Sequence, residues 1–163
     1  MLFPKQMFHR VTDISPEELK AKGIKGLILD IDNTLTTHDN PIPSDGVVAW
    51  LDSVRANGIE MLVLSNNHEP RVAPFAKILG LNFISEGKKP LTCGFRRCAK
   101  TLGMSREELC IIGDQIFTDI LGGNLFGCHS ILVEPIQVES TNFFKLKRFL
   151  EKIILFFYRK KAR

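Results

Sequence analysis

Residues 26–36 read Gly26-Leu27-Ile28-Leu29-Asp30-Ile31-Asp32-Asn33-Thr34-Leu35-Thr36. The first half is a nearly continuous apolar run, which predicts a strand buried on both faces of a parallel sheet. Asp30 and Asp32 follow where that strand ends, and their spacing of two directs both side chains to the same side. Two carboxylates this close repel one another unless a cation or a proton lies between them. Open α/β sheets bind ligands beyond the carboxyl ends of their strands. The segment therefore predicts a metal site at which a reaction is catalysed.

The strand belongs to a repeating pattern of strands and helices. Alternation of this kind predicts parallel β-α units in a three-layer α/β sandwich with a central parallel sheet of about five strands. The predicted strands are Ile24–Ile31, Ile59–Leu64, Leu81–Ile84, Leu109–Ile112 and Cys128–Val133. The predicted helices are a short one opened by Ser15-Pro16, one from Ser44-Asp45 to about Asn57-Gly58, then Glu69–Leu79, Leu91–Leu102, Ile116–Phe126 and Asn142–Arg163. Residues 1–12 are left unassigned.

The second of these helices is predicted from its cap and its apolar face. Ser44-Asp45 supplies a capping side chain. The apolar residues that fall on one face are Val47, Val48, Leu51 and Val54, and we expect that face to be buried.

The charge of the chain is concentrated near its C-terminus. The 163 residues carry a formal net charge of +4, but Lys145–Arg163 alone carries +7, which leaves residues 1–144 at −3. The apolar fraction of 44% and the charged fraction of 25% are ordinary for a globular protein, and the length suffices for one sizeable core. We interpret residues 1–163 as a single, mildly acidic domain with a basic tail.

Cysteine and histidine do not predict a zinc site or a redox pair. No two of the four cysteines form a C-x-x-C pair, so we interpret them as reduced thiols of a cytoplasmic protein. The N-terminus lacks the long apolar core and the cleavage site of a signal peptide. The apolar run Ile153–Tyr158 is far shorter than the roughly 20 residues that span a bilayer.

Polar residues at predicted strand ends form four motifs. They are Asp30-Ile31-Asp32-Asn33-Thr34, Ser65 after Leu62-Val63-Leu64, Lys89-Pro90 after the short third strand, and Gly113-Asp114-Gln115-Ile116-Phe117-Thr118-Asp119. In this order, over residues of about 24 to 133, the set resembles the haloacid dehalogenase-like phosphatases. The resemblance implies the Rossmann-like fold of that family and the hydrolysis of a phosphate monoester.

The resemblance also implies a role for each motif residue. Asp30 would be the nucleophile that forms an aspartyl-phosphate, and Asp32 the acid that protonates the leaving oxygen and then activates water. Ser65 and Lys89 would bind the phosphoryl oxygens and offset their charge, with Asn66 as a further substrate-binding residue. The alternative for Ser65 and Asn66 is that they only cap the following helix.

A magnesium site is implied in the same way. Its ligands would be Asp30, the backbone carbonyl of Asp32, and Asp114, with Asp119 either as a ligand or as a residue that orients one. Hard oxygen ligands of this kind, together with substrate phosphate, suit Mg²⁺. Because Asp119 lies in a predicted helix, a purely structural role near the helix dipole stays open.

Two other functions fit the residues less well. In an EF-hand calcium loop that begins at Asp30, position six would be Leu35 instead of glycine and position twelve Pro41 instead of glutamate. A receiver domain usually has paired acids after its first strand, which we do not find here. For the catalytic lysine, Lys88 competes with Lys89; we prefer Lys89 since the proline after it favours extended backbone.

The spacing of the motifs leaves no room for a cap domain. In this family a cap is usually inserted after the first motif or between the second and third, but Asp32–Ser65 and Ser65–Lys89 span only 33 and 24 residues. A capless (C0) site would be open and would suit a macromolecule or a lipid head group. We interpret His38 and His68, which lie in loops near the predicted site, as surface or substrate-contacting residues.

The last helix, predicted over about 142–163, is basic and amphipathic. The residues on one face at helical spacing are Phe143, Leu146, Leu150, Ile153 and Phe157. The rest of the helix carries Lys145, Lys147, Arg148, Lys152, Phe144 and Phe149. Such a helix is typical of a membrane surface. The alternative is a terminal helix that covers the sheet and keeps its lysines in water.

Over the whole chain the resemblance narrows to the YqeG-type subfamily (IIIA), which is similar to the mitochondrial phosphatidylglycerophosphate phosphatases. The residues that carry it include Lys22–Gly26, Ser65-Asn66-Asn67 and Gly113-Asp114-Gln115. It implies removal of the terminal phosphate from phosphatidylglycerophosphate, with peripheral association at the cytoplasmic membrane face. The alternatives are a soluble phosphatase for a nucleotide, sugar phosphate or phosphoprotein, and a non-catalytic phosphate-binding module. We expect no nucleic-acid partner, because the basic charge is confined to one apolar tail.

Overall fold

A parallel sheet of six strands forms the middle layer of the protein. The computed structural model describes residues 1–137 and 142–161. The strands are β1 (Gln6–Phe8), β2 (Gly26–Leu29), β3 (Glu60–Leu64), β4 (Asn82–Ile84), β5 (Leu109–Gly113) and β6 (His129–Val133). They lie in the order β1-β6-β5-β2-β3-β4, and every neighbouring pair is parallel. The predicted α/β class with a central parallel sheet is confirmed.

The sheet has one strand more than the sequence predicts. The additional strand, β1, lies at one edge and pairs with β6 in the register Gln6 to Ile131 and Phe8 to Val133. It comes from the N-terminal segment that the sequence pattern left unassigned. Three residues are too few for a period of two to be recognised, so pairing with β6 decides this assignment.

In the part of the chain that the structure describes, six α-helices cover the two faces of the sheet. They are α1 (Pro16–Ala21), α2 (Val47–Ala56), α3 (Glu69–Leu79), α4 (Thr92–Leu102), α5 (Leu121–Phe126) and α6 (Asn142–Lys161). Helices α1 to α3 pack on one face, where Leu27 and Leu29 of β2 lie in the same core cluster. Ile28 points to the other face, where α4 and α5 pack, and α6 packs beside them against Leu132 of β6. The alternation of neighbouring β2 side chains thus gives both cores and the three-layer arrangement.

Helix α2 begins later than its sequence suggests. The predicted cap, Ser44-Asp45, is wrong: the N-cap is Gly46, whose φ of 81° is left-handed and favours glycine. Val48 was expected on the buried face but is 51% exposed. Trp50 is buried instead, and its Nε1 donates a hydrogen bond of 2.8 Å to the Ile14 carbonyl. This bond fixes the rotation of the helix on the sheet.

The predicted helix of residues 116–126 is divided into two parts. Ile116–Ile120 forms one wide π-helical turn, and the regular helix α5 follows from Leu121. This turn places Asp119 beneath the end of β5. The connections from β2 to β3 and from β3 to β4 contain only α2 and α3 as helices, so the predicted absence of a cap domain agrees with the structure.

Among residues 1–137 and 142–161, no helix is both long and apolar enough to cross a bilayer.

Candidate active site

The predicted site residues converge at the carboxyl ends of three adjacent strands. Asp30 follows β2, Ser65 follows β3 on one side of it, and Asp114 follows β5 on the other. Asp30 and Ser65 border a cleft of about 280 Å³. The residues that line this cleft are Asp30, Asp32, His38, Ser65, Asn66, Asn67, Lys89, Gln115, Thr118 and Lys147.

Three buried carboxylates form the floor of the site, and we call Asp30, Asp114 and Asp119 the carboxylate cluster. Their ligand oxygens lie within 4.8 Å of one another. Asp119 can reach the end of β5 because Gly113 has no side chain; a Cβ atom there would lie 2.3 Å from the Asp119 carboxyl carbon. The backbone N–H of Gln115 donates a hydrogen bond of 3.1 Å to Asp119 Oδ2. Three buried oxygen donors this close together fit a hard divalent cation.

Lys89 is the cation of the site. Its Nζ donates hydrogen bonds of 2.7 Å to Asp30 Oδ1 and 2.6 Å to Asp119 Oδ1. Burial alone would lower the pKa of Lys89, but the adjacent carboxylates of Asp119 and Asp30 outweigh it and raise the pKa above its ordinary value. Lys88, the competing candidate, is exposed. Lys89 is therefore the lysine that the structure brings to the carboxylates.

The surroundings of Asp30 disfavour its charge. Burial raises the pKa of Asp30 to about 7, the negative charges of Asp119 and Asp32 add to that rise, and Lys89 opposes it. One ammonium group thus does not balance the cluster. A further cation among these oxygens would favour the ionised form of Asp30, which is a second reason why the residues fit a divalent metal.

Asp32 lies outside the carboxylate cluster, in a set of hydrogen-bond donors. Its Oδ1 accepts from the backbone N–H of Asp39 at 3.0 Å and from Arg71 Nη2 at 2.8 Å. Its Oδ2 accepts from Asn67 Nδ2 at 2.6 Å. The Asp32 carboxylate also lies near the side chains of His38 and Asp39, whose possible metal-ligand atoms are within 4.8 Å of it and of each other. The carboxylate of Asp32 is thus held in one orientation at the wall of the cleft.

The structure adds two residues that the sequence did not single out as site residues. Arg71, on α3, also donates to the carbonyl of Asn40 at 3.0 Å and lies 5.3 Å from the centre of the Phe75 ring. In the sequence, Asn67 belongs to the Ser65-Asn66-Asn67 segment of the subfamily resemblance, which gives it no role of its own. No sequence pattern marks Arg71 as a site residue, because a single arginine near the start of a helix is common.

Asn66 lies at the cleft and pairs with the backbone of Lys89. Its Nδ2 donates to the Lys89 carbonyl at 3.0 Å, and its Oδ1 accepts from the Lys89 backbone N–H at 2.7 Å. The amide lines the cleft but is engaged by the backbone of Lys89. These two bonds hold the backbone of Lys89 in position, and substrate binding by Asn66 stays a prediction.

Ser65 does not cap the following helix, because the N-cap of α3 is His68. The Ser65 hydroxyl accepts a hydrogen bond of 3.1 Å from the backbone N–H of Asn67 and keeps its own hydrogen to donate. His68 lies 3.2 Å from Glu86 and its side chain is 83% exposed, whereas His38 borders the cleft 3.3 Å from Asp39. Of the two histidines, only His38 is brought to the site.

Sequence comparisons point to one family. The family model described as a haloacid dehalogenase-like hydrolase matches residues 37–127. The chain is 38% identical to the "Probable phosphatase YqeG" of Bacillus subtilis over 94% of this chain and 87% of that protein. It is 29% identical to "Phosphatidylglycerophosphate phosphatase 1, chloroplastic/mitochondrial" of Arabidopsis thaliana over 83% of this chain. The aligned part is 44% of the plant protein, so the chain spans less than half of that relative's length.

A solved structure supports the same fold. A haloacid dehalogenase-like hydrolase of Brucella suis superposes with a TM-score of 0.59, covering 77% of this chain and 88% of that one. The sequence identity is 11%, so this likeness concerns the fold alone.

Proposed function

The chain belongs to the haloacid dehalogenase-like hydrolase family, and from that premise we propose that it is a magnesium-dependent phosphomonoester hydrolase that works through an aspartyl-phosphate on Asp30. One observation carries the proposal: the ammonium of Lys89 lies 2.7 Å from Asp30 and 2.6 Å from Asp119 within a buried group of carboxylates at the strand ends. This arrangement supports the proposal, because a carboxylate that could attack phosphorus, a charge-balancing cation and oxygens that could bind a metal lie close together.

The proposed metal ligands are the carboxylate cluster and the backbone carbonyl of Asp32. Bound there, Mg²⁺ would neutralise charge on the phosphate and orient the phosphoryl group. The ligand types support this choice, because magnesium prefers carboxylate and carbonyl oxygens and is commonly completed by a substrate phosphate.

In the first step we expect Asp30 to attack the phosphorus of the monoester. A bond forms between a carboxylate oxygen of Asp30 and phosphorus, and the bond from phosphorus to the substrate's ester oxygen breaks. Asp32 gives its proton to that leaving oxygen, so the alcohol departs neutral. Lys89 and the hydroxyl of Ser65 donate hydrogen bonds to the phosphoryl oxygens as their charge develops.

In the second step water hydrolyses the aspartyl-phosphate. Asp32, now ionised, takes a proton from the water, whose oxygen bonds to phosphorus while the bond to Asp30 breaks. Inorganic phosphate leaves and the Asp30 carboxylate is restored. The donors from Asn67, Arg71 and the Asp39 backbone would hold Asp32 in one orientation through both proton transfers.

The substrate we propose is phosphatidylglycerophosphate, an anionic lipid that carries a terminal phosphate monoester. Three observations support it: the name of the Arabidopsis relative, the absence of a cap over the cleft among residues 1–137 and 142–161, and the basic helix α6. An uncapped cleft admits a head group that stays attached to a bilayer. With this substrate the protein would act at a membrane surface.

The proposal is tested by the release of inorganic phosphate in the presence of Mg²⁺. Phosphatidylglycerophosphate in mixed micelles is compared with a nucleotide, a sugar phosphate and a phosphopeptide, for the wild type and for Asp30→Asn. We expect turnover of the lipid far above the other esters, lost with Asp30→Asn and with EDTA. Turnover of soluble esters alone would discard the lipid. Turnover that survives Asp30→Asn would discard the proposed nucleophile, and none on any ester would favour a phosphate-binding module.

A further inference from the structure

One side of helix α6 faces the protein, and this side carries both polar and apolar residues. Glu151 is buried and accepts a hydrogen bond of 2.9 Å from the backbone N–H of Ile116. Ile154 and Leu155 pack against the cluster that contains Leu132, and the ring of Tyr158 lies 5.8 Å from that of Phe3. With about 100° between successive residues, these positions define the inward side of the helix.

The opposite side of α6 is apolar, and we call it the outer face. Its members are Leu146, Phe149, Leu150, Ile153, Phe156 and Phe157, which are between 41% and 64% exposed. By the helical rotation they occupy an arc of about 120° centred away from the protein. A contiguous exposed patch of six large apolar side chains marks an interaction site, whereas single exposed apolar residues are ordinary.

This arrangement decides between the two interpretations of the amphipathic pattern. A terminal helix that only covered the sheet would turn its apolar stripe inward. Four of the five predicted stripe residues, Leu146, Leu150, Ile153 and Phe157, lie on the outer face. The side chains of Phe143, Phe144 and Arg148, which the pattern also included, lie outside the described residues.

The charge around the outer face selects an anionic partner. By the helical rotation, Lys145, Lys152 and Arg159 follow one edge of the outer face, and Lys160 lies within its arc. Glu151 is the one acid in the sequence of α6, and it is buried on the inward side. An apolar arc rich in phenylalanine with a basic border matches the interface of an anionic bilayer, where apolar side chains enter and cations meet lipid phosphates.

The outer face begins at the rim of the catalytic cleft. Lys147 of α6 lines that cleft and donates a hydrogen bond to the side chain of Gln115. Next to it, Leu146, Leu150 and Phe117 line an adjoining apolar pocket of about 350 Å³. A surface that binds through the outer face would therefore lie next to the cleft opening.

We propose that the outer face of α6 docks the protein on anionic membranes and thereby presents the open cleft to lipid head groups. The second half of this statement rests on the proposed function, because it needs a lipid phosphate as substrate. The docking itself does not depend on catalysis and can be measured without turnover.

The test is co-sedimentation of the full chain with vesicles. We expect the wild type to bind vesicles that contain phosphatidylglycerol more tightly than vesicles of phosphatidylcholine alone, and to bind less at high salt. Phe149→Ala/Phe156→Ala is expected to weaken binding to the anionic vesicles by at least roughly tenfold, since two phenyl rings no longer enter the interface. The matched control, Ile78→Ala/Leu91→Ala, removes apolar side chains that are 59% and 61% exposed elsewhere and should bind like the wild type.

Three outcomes would overturn the docking proposal. The wild type does not bind anionic vesicles, or the Phe149→Ala/Phe156→Ala variant binds as tightly as the wild type. In the third, sedimentation velocity shows a wild-type dimer that this variant dissociates, while neither binds vesicles; the outer face would then be an interface between two copies.

A soluble short-chain phosphomonoester separates docking from catalysis. The Phe149→Ala/Phe156→Ala variant should hydrolyse it within about twofold of the wild-type rate, because neither residue lines the cleft. Vesicle binding without turnover of any ester would refute the proposed function and leave docking intact. Turnover without vesicle binding would do the reverse.

Discussion

Asp30 and Asp32 are separated by one residue, but their carboxylates lie in opposite kinds of surroundings. Asp30 is packed against two further carboxylates and a single ammonium group, and its pKa is raised to about 7, mainly by burial. Asp32 receives three hydrogen bonds, from Asn67, Arg71 and the backbone of Asp39. The charge of one carboxylate is only partly compensated, whereas the other accepts three hydrogen bonds.

The difference indicates how one motif supports two kinds of chemistry. A carboxylate whose charge is only partly compensated gains from binding a metal ion, whereas one held by several donors keeps a fixed orientation, which suits it to take a proton from water as a general base. Because both residues are aspartates, the proposed difference between their roles depends on their different surroundings. Substitution by asparagine at each position, and changes to the cation beside each, test this contrast.

The largest difference is expected in turnover. Asp30→Asn should reduce the rate at least about 10⁴-fold, because no aspartyl-phosphate can form. Asp32→Asn removes a proton donor and should lower the rate about 10²- to 10⁴-fold on substrates with a poor leaving group. With p-nitrophenyl phosphate, whose leaving group needs no proton, Asp32→Asn should still release a rapid burst of nitrophenolate in stopped-flow absorbance. Asp30→Asn should release none.

Asp39→Asn is the matched control for this experiment, because that side chain is 70% exposed and the hydrogen bond to Asp32 comes from the Asp39 backbone, which the substitution keeps. It should keep the wild-type burst and steady rate within a few-fold. A burst from Asp30→Asn, or loss of the burst in Asp32→Asn, would reverse or erase the proposed division of tasks.

The next effect is on stability and concerns Lys89. Replacing it by methionine leaves Asp30 and Asp119 buried together without their shared cation. Breaking a buried ion pair on one side costs about 3–5 kcal/mol, and we expect a loss of that size in the free energy of unfolding at pH 8 in EDTA. Urea denaturation followed by circular dichroism measures it.

Lys88→Met is the control for Lys89, since its exposed side chain should contribute less than about 0.5 kcal/mol. If Lys89→Met does not fold, Lys89→Met/Asp119→Asn should recover folding, because one of the two unpaired carboxylates is then neutral. Equal stability of the two methionine variants would contradict the view that Asp30 depends on Lys89.

A smaller effect should have opposite signs at the two aspartates. The pKa of Asp30 is raised from 3.8 to about 7, so between these values the folded state binds more protons than the unfolded state. Asp30 should therefore destabilise the metal-free protein increasingly as the pH rises from about 4 to about 7, and Asp30→Asn should lack this contribution and be more stable at pH 8 by about 1–3 kcal/mol. Asp32→Asn should instead be less stable by about 1–3 kcal/mol, because an amide cannot accept all three hydrogen bonds.

Urea denaturation in EDTA at pH 5 and pH 8 tests both signs at once. Two asparagine variants that shift the stability in the same direction at pH 8 would contradict the contrast between the two surroundings. The pH series on the wild type and Asp30→Asn separates the ionisation of Asp30 from any unrelated effect of the amide.

The half of the site around Asp30 was predictable from sequence, because its members follow apolar strands. Parallel strands bring their carboxyl ends to one edge, so polar residues at those ends must meet whatever the helices between them do. Asp30, Ser65 and Asp114 were placed by that rule, and Lys89 by its position after β4. The position of Asp119 does not follow from that rule, since it depends on a wide turn and on the missing side chain of Gly113.

The half around Asp32 was not predictable in the same way. Arg71 reaches Asp32 from within α3, and no period or spacing marks a single helical side chain that turns back over a strand end. The sequence also gives no sign that the amide of Asn66 pairs with the backbone of Lys89, 23 residues away. Side-chain contacts between loops depend on three-dimensional packing, which a sequence pattern does not contain.

Helix α6 shows the same limit at a larger scale. The amphipathic pattern predicted an apolar stripe but could not say whether the stripe faces the sheet or the solvent. The outward orientation follows from contacts on the other side, chiefly the buried Glu151 and its hydrogen bond from Ile116. A glutamate on the packed side runs against simple patterning, so the sequence alone did not reveal it.

The smallest predicted effect concerns Arg71 and sharpens the role of Asp32. Arg71→Ala removes one of three donors to Asp32, so we expect kcat to fall roughly tenfold with KM nearly unchanged, about 1.4 kcal/mol of transition-state stabilisation. Arg71→Lys keeps the charge but not the planar donor and should recover part of the loss. Lys77→Ala, on the exposed side of the same helix, should behave as the wild type.

Steady-state kinetics on one phosphomonoester with the three variants decide what Arg71 does. A fall in kcat at constant KM means that Arg71 positions Asp32, as its hydrogen bond suggests. A rise in KM at constant kcat would mean that Arg71 binds substrate, and Asp32 would then keep its orientation through Asn67 and the Asp39 backbone alone. In that case the fixed carboxylate would need only two donors, and the contrast with Asp30 would rest on burial and charge more than on the number of hydrogen bonds.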